Sequence, residues 1–131
     1  GKLIGEYTVS KYIPHDLGPW SNSWSGGPAG ITFDGDNIWV ANGQKEVVTK
    51  LTTTGEIIGE YPVDGWPMSI MFDGRHIWVT MYFDAELLRM SLDGTILGRF
   101  EMLRGPYDVM FDGRFVWIAN LEDNAITRVE R

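Results

Sequence analysis

The chain has 131 residues, is 44% hydrophobic and 13% aromatic, and carries a formal charge of −7. One domain's length with this apolar content buries a core, which excludes a disordered chain, and the acidic balance argues against nucleic acid or an anionic membrane surface as partner. No cysteine is present, so disulfides and thiolate metal sites are excluded and the redox compartment stays open.

The first apolar stretch is "LIGEYTV" at 3–9. It is followed by "SKYIPHDLGPWSNSWSGG" at 10–27, a Pro, Ser and Gly-rich insertion. From Pro28 onward the chain repeats. "GITFD" at 30–34, "NIWVAN" at 37–42, "EVVTKL" at 46–51 and "EIIGEYPV" at 56–63 read as four strands, rich in β-branched and aromatic residues and punctuated by Gly, Asn and Asp. A second unit gives "SIMFD", "HIWVTM", "ELLRMSL" and "TILGRFEM". A third gives "DVMFD", "FVWIAN" and "AITRVE". No sustained 3.6-residue apolar period is present, so almost no helix is predicted. Nor is any apolar run long enough to span a bilayer. No basic, apolar leader is visible, although Gly1 leaves open whether one was removed.

The units keep a strict interval. "FDG" recurs at Phe33, Phe72 and Phe111, and Trp39, Trp78 and Trp117 follow at the same 39-residue spacing. Asp-Gly is a strong hairpin signal, because Gly accepts positive φ and Asp bonds its own backbone. The alternative reading of Asp34, Asp73 and Asp112 is a ring of metal-binding carboxylates. The second strand is apolar on both alternating faces, with Ile38 and Val40 on one side and Trp39 and Ala41 on the other. Such a strand is buried on both sides. Four strands per unit of about 40 residues, with buried inner strands and a wetter outer one, predict an all-β fold, a β-propeller with one blade per unit.

The stretch "GPAGITFDGDNIWVAN…VTKL…TGEIIGEYPV" resembles the bacterial β-propeller repeats of the YVTN and NHL type. The likeness covers nearly all of the chain outside 10–27. It implies the propeller fold and leaves function open, since such propellers serve as enzymes, binders and scaffolds.

The ends are out of phase with the repeat. "LIGEYTV" at 3–9 matches "IIGEYPV" at 57–63, a fourth strand, whereas the third unit stops before its fourth strand. Taking away the 15-residue excess of the insertion leaves 116 residues, one short of three repeats. The expected organisation is a single domain over 1–131, with 3–9 donated to a neighbouring blade. The insertion is 10–27, blade 1 is 28–64, blade 2 is 65–104, and an incomplete blade 3 is 105–131. Propellers have about 4–8 blades, so three cannot close. The favoured partner is a second copy, giving a six-bladed homodimer in which 3–9 of each chain pairs with 125–130 of the other. The interface residues would be Leu3, Ile4, Tyr7, Val9, Ile126 and Val129. A trimer, a head-to-tail filament and a piece of a longer propeller are the alternatives.

Candidate ligand residues gather on the face that carries the fourth-to-first and second-to-third connections. In the insertion, Trp20 and Trp24 suit stacking on a sugar, or plugging the central opening. His15 and Asp16 have the composition of a base and its orienting carboxylate, but neighbours in an extended chain point apart. Trp66, Tyr82 and Tyr107 lie near the loops, with Phe83 beside Tyr82. Asp108 occupies the channel-lining position matched by Gly30 and Ser69. Asn42 and Asn120 are expected as loop-bonding residues, and His76 as a structural residue after a turn. No metal site, cofactor, phosphate loop or nucleophile elbow is predicted. The expected function is a non-catalytic binding or assembly module. A carbohydrate-binding lectin and a channel-centred metal-dependent lyase or lactonase are the alternatives. The compartment is left open, with a surface-associated role suited to a strand-donating repeat chain.

Overall fold

The computed structural model describes residues 1–9 and 27–131. They form three antiparallel sheets whose strands follow one another in chain order. The first holds β1 (Pro28–Phe33), β2 (Asn37–Asn42), β3 (Val47–Thr52) and β4 (Ile57–Pro62). The second holds β5 (Pro67–Phe72), β6 (Ile77–Met81), β7 (Glu86–Met90) and β8 (Ile96–Glu101). The third has only three strands, β9 (Pro106–Phe111), β10 (Phe115–Asn120) and β11 (Ala125–Glu130). The sole helical element among the described residues is one 3-10 turn, Gly43–Lys45. Of these residues, no helix is long and apolar enough to cross a membrane, which says nothing of membrane β-barrels.

This is the propeller architecture predicted from the 39-residue repeat, with four strands in the first two sheets and three in the third, as the strand reading of each unit expects. The inner strands begin earlier than expected, at Pro28, Pro67 and Pro106. Proline is tolerated there because the first residue of a strand need not donate to the ladder.

The core lies between sheets. Trp39, Ala41 and Val48 of the first sheet pack against Ile70, Ile77, Val79, Leu88 and Met90 of the second. Trp78 and Leu87 of the second pack against Val109, Val116 and Ile118 of the third. Both faces of β6 are buried, as two-sided apolar patterning requires. The outer strands β4 and β8 alternate between exposed and partly buried positions.

Candidate functional site

The Phe-Asp-Gly hairpins are clamps. In the first, Asp34 Oδ1 accepts the backbone N–H groups of Asp36 (2.8 Å) and Asn37 (2.7 Å), and Oδ2 accepts Trp39 Nε1 (2.7 Å). Asp73 does the same with Arg75, His76 and Trp78, and Asp112 with Arg114, Phe115 and Trp117, at 2.7 Å throughout. The glycines that follow have φ of 103°, 90° and 98°, which only glycine adopts without strain. Each carboxylate therefore sets its own turn and fixes the indole of its own hairpin. Burial pushes the Asp73 carboxyl up. The His76 N–H, the Trp78 indole, the Arg75 N–H and the Arg131 charge outweigh that and hold it below its ordinary value. Asp34 follows the same balance, burial against the Trp39 and backbone donors. In Asp112 the Phe115 N–H and the Trp117 indole lead the lowering.

Each complete seam carries a three-part stack. Trp39 lies 5.7 Å from the Tyr61 ring at 26°, with Lys50 Nζ 4.7 Å over its centre. Trp78 lies 6.1 Å from Phe100 at 32°, with the Arg89 guanidinium 5.8 Å away. Cation–π contact and ring packing thus both hold the indole. Trp117 has its cation, Arg128 at 5.6 Å, but no outer-strand ring, and it is partly exposed.

The end faces of the arc are open and apolar. Ile31 is 70% exposed, while its repeat equivalents Ile70 and Val109 are 5% and 7% exposed. At the other end Ile126 is 72% exposed, while Val48 and Leu87 are fully buried. Hollows of about 380 Å³ over Ile31, Ile38 and Leu51, and of about 460 Å³ over Met110, Trp117 and Ile126, mark the two ends.

Residues 1–9 lie against the first open face. They pair with no strand among the described residues. Their side chains nevertheless repeat the packing of β4. Tyr7 covers Gly55 (φ 86°) as Tyr61 covers Gly94 (φ 88°), so closely that a Cβ on either glycine would lie 2.1 Å from the tyrosine ring. Val9 is buried with Val40, Leu51 and Ile38, the place that Val63 takes against the second sheet. The Asn42 amide donates to the Val9 carbonyl at 3.0 Å. The segment thus occupies the position of an outer strand of a preceding blade. Of the predicted interface residues, Leu3, Ile4, Tyr7 and Ile126 are exposed, Val9 is buried, and Val129 is partly buried against the seam core of Trp78.

The asparagines prove to be more than loop residues. Asn42 and Asn120 are buried at the ends of β2 and β10, and Asn120 Nδ2 donates to Thr127 Oγ1 at 2.8 Å. Met81 replaces them in the second sheet, where Arg99 Nη2 supplies the bond to the Val63 carbonyl at 2.6 Å. Sequence reasoning missed Arg99, because its acceptor is a backbone oxygen 36 residues away.

On the loop face, Trp66, Phe83, Tyr82 and Tyr107 form a row. Trp66–Phe83 centroids are 5.8 Å apart, Tyr82–Phe83 5.0 Å and Tyr82–Tyr107 6.2 Å. Phe83 is 65% exposed, and Tyr107 is exposed too. Tyr82 is buried; that burial, then its hydrogen bond to Glu122, pushes the phenol up. Asp108 accepts the Ser69 hydroxyl (2.8 Å) and its neighbour's Val109 N–H (2.9 Å). His76 stands just before β6, its Nδ1 buried without a partner and its pKa lowered chiefly by burial. His15, Asp16, Trp20 and Trp24 lie outside the described residues. Among the described residues no three His, Cys, Asp or Glu side chains gather into a metal-ligating group.

Fold and seams together define an arc of a β-propeller. No protein-family model and no curated protein matches the chain. Solved propeller structures do. A catalytically inactive virginiamycin B lyase from Staphylococcus aureus, with quinupristin, is similar at TM-score 0.72 and 24% identity, covering 84% of this chain and 39% of its own. A streptogramin B lyase is similar at TM-score 0.63 and 20% identity, covering 79% of this chain and 40% of its own. The hydrazine synthase of Kuenenia stuttgartiensis reaches TM-score 0.71 at 20% identity, covering 95% of this chain and 36% of its own. The chain therefore spans about two-fifths of the length of these structures, and at such identities the likeness is one of fold.

Proposed function

We propose that the chain is a non-catalytic β-propeller module, of the YVTN/NHL type by its repeats, that assembles by strand complementation between polypeptides. The observation that carries this is residues 1–9 docked in an outer-strand position against the first sheet without pairing to any strand among the described residues. Covering both ends removes two bare edges and two apolar faces that otherwise invite aggregation. Light scattering of the purified protein tests it. We expect a discrete mass of twice the 14.8 kDa chain. A stable single-chain mass across micromolar concentrations overturns the reading, and a trimer mass or an open-ended series transfers it to the nine-bladed ring or the filament.

A carbohydrate-binding face is the second reading. Its support is the exposed Phe83 and Tyr107 rings, with the carboxylates of Asp84 and Glu122 close by in the same loops. Sugar rings stack on such faces while carboxylates take their hydroxyls. Glycan-array binding that is lost on Trp20→Ala, Trp24→Ala or Phe83→Ala carries it; a blank array ends it. The lyase or lactonase reading has only the fold likeness behind it, since His76 sits in a turn and no described cluster could ligate a metal.

A further inference from the structure

We infer that the exposed Phe83 ring and its neighbours bind a small organic cation, an alkylated ammonium group. This goes beyond the assembly reading and does not rest on it. The site lies where the connection between β4 and β5 meets the loop between β6 and β7, inside the arc and away from both of its ends. Three departures from the repeat make it. Trp66 stands where the other units have Gly27 and Gly105, and Tyr82 and Phe83 stand where they have Gly43 and Gln44, or Leu121 and Glu122. Residues that build a blade recur in every unit, as the Asp–Trp clamps do. These three do not recur, and the fold brings them together. Trp66 rests on Gly43, where a Cβ would lie 2.6 Å from the indole, and it meets Phe83 edge to face at 5.8 Å and 79°. Buried Tyr82 meets Phe83 at 5.0 Å and 89°. Neither ring lies parallel over Phe83, which is 65% exposed although its sheet is flanked by sheets on both sides. An exposed ring braced by two others is a contact surface set before any ligand arrives.

Charge selects the occupant. Elsewhere the chain supplies its own rings with cations, Lys50 over Trp39 and Arg89 over Trp78. Among the described residues none lies over Phe83 or Trp66. The carboxylates beside the rings are Asp84, whose Oδ2 accepts the Trp66 N–H at 3.2 Å, and Glu122, bonded to Tyr82. The basic side chains near this face are already paired with other carboxylates: Lys45 with Glu60 at 3.0 Å, Arg99 with Glu86 and Arg104 with Asp123 at 2.8 Å. Asp84 and Glu122 thus have no cationic partner among the described residues. A sugar would stack on Phe83 without relieving their charge. An ammonium group with an apolar shell does both, because the ring face and the carboxylates are each negative toward it.

Ligand-observed NMR titration of the full chain with choline tests it, against the uncharged carbon isostere dimethylbutanol and against methyl glucoside. Choline is expected to bind about tenfold more tightly than dimethylbutanol and to lose affinity as salt is raised. Phe83→Leu keeps apolar bulk at an exposed position and removes the ring. It is expected to weaken choline about fivefold or more and to leave dimethylbutanol unchanged. Asp84→Asn keeps an acceptor for the Trp66 N–H, and is expected to weaken choline about threefold and to flatten its salt dependence. Equal binding of choline and dimethylbutanol overturns the inference, as does choline binding that both variants, shown folded by circular dichroism, leave intact. Tighter binding of the glucoside overturns it in favour of the carbohydrate reading. Absence of choline binding at millimolar concentrations overturns it outright. None of these outcomes bears on the solution mass, so the assembly reading stands or falls separately.

Discussion

Trp78→Ala is expected to lower stability by about 4 kcal/mol, the range for removing a buried tryptophan from a core. The indole is fully buried between the second and third sheets, stacked on Phe100 under Arg89, and its Nε1 donates to Asp73. Its loss opens a cavity, strips a hydrogen bond from a buried carboxylate and unstacks the seam at once. Trp117→Ala, at the matching but half-open position, is expected to cost the single chain less than half as much. Chemical denaturation of the two variants at low protein concentration makes the comparison. Equal costs would show that the seams are not what holds the sheets together.

Asp73→Asn is expected to cost about 2–3 kcal/mol, the scale of charge-assisted bonds to a group sealed from water. Asp73 is 3% exposed and accepts two backbone N–H groups and the Trp78 indole, with the Arg131 guanidinium at 3.4 Å. An amide in its place presents one acceptor to donors that now face an N–H. The sign of the pH dependence follows from the lowered carboxyl. Its ordinary value is 3.8 and its folded value lies below that, so the unfolded chain takes up the proton first. The stabilisation is complete above about pH 5 and is lost as pH falls through the folded value. Asp34 and Asp112 are shifted the same way and add to one acid transition. Denaturant midpoints measured from about pH 6 down to pH 2 should fall steeply in the parent chain and less steeply in Asp73→Asn. Parallel curves would remove Asp73 from the account.

The repeat made most of the fold legible. Trp39, Trp78 and Trp117 at one interval fixed which residues share a face, and β10 and β11 begin and end where the alternation does. The clamp is visible in outline, since each Asp stands five residues before its tryptophan, but Asp-Gly signals a turn without naming the indole as a partner. That its second oxygen reaches the indole depends on the hairpin bringing both to one side. The contacts of residues 1–9 were not legible, because Asn42 bonds a backbone oxygen 33 residues away and no side-chain type announces such an acceptor. Likewise Trp66, Phe83, Tyr82 and Tyr107 became a row only when the loops holding the first three met the start of β9.

Under the strand-complementation proposal, the anchoring of Val9 would also bear on a rate. A segment that must find its strand while disordered gives up conformational freedom at the moment of pairing, which slows productive encounters. Here Asn42 and the hollow around Val40 and Leu51 already hold the segment by its last residue, and Tyr7 rests on Gly55. A sheet edge arriving at this end would therefore meet a template instead of a tail. In the proposed assembly its docking would depend on how often two rigid edges collide in the right orientation, with a speed that follows concentration and viscosity more than the folding of the donor.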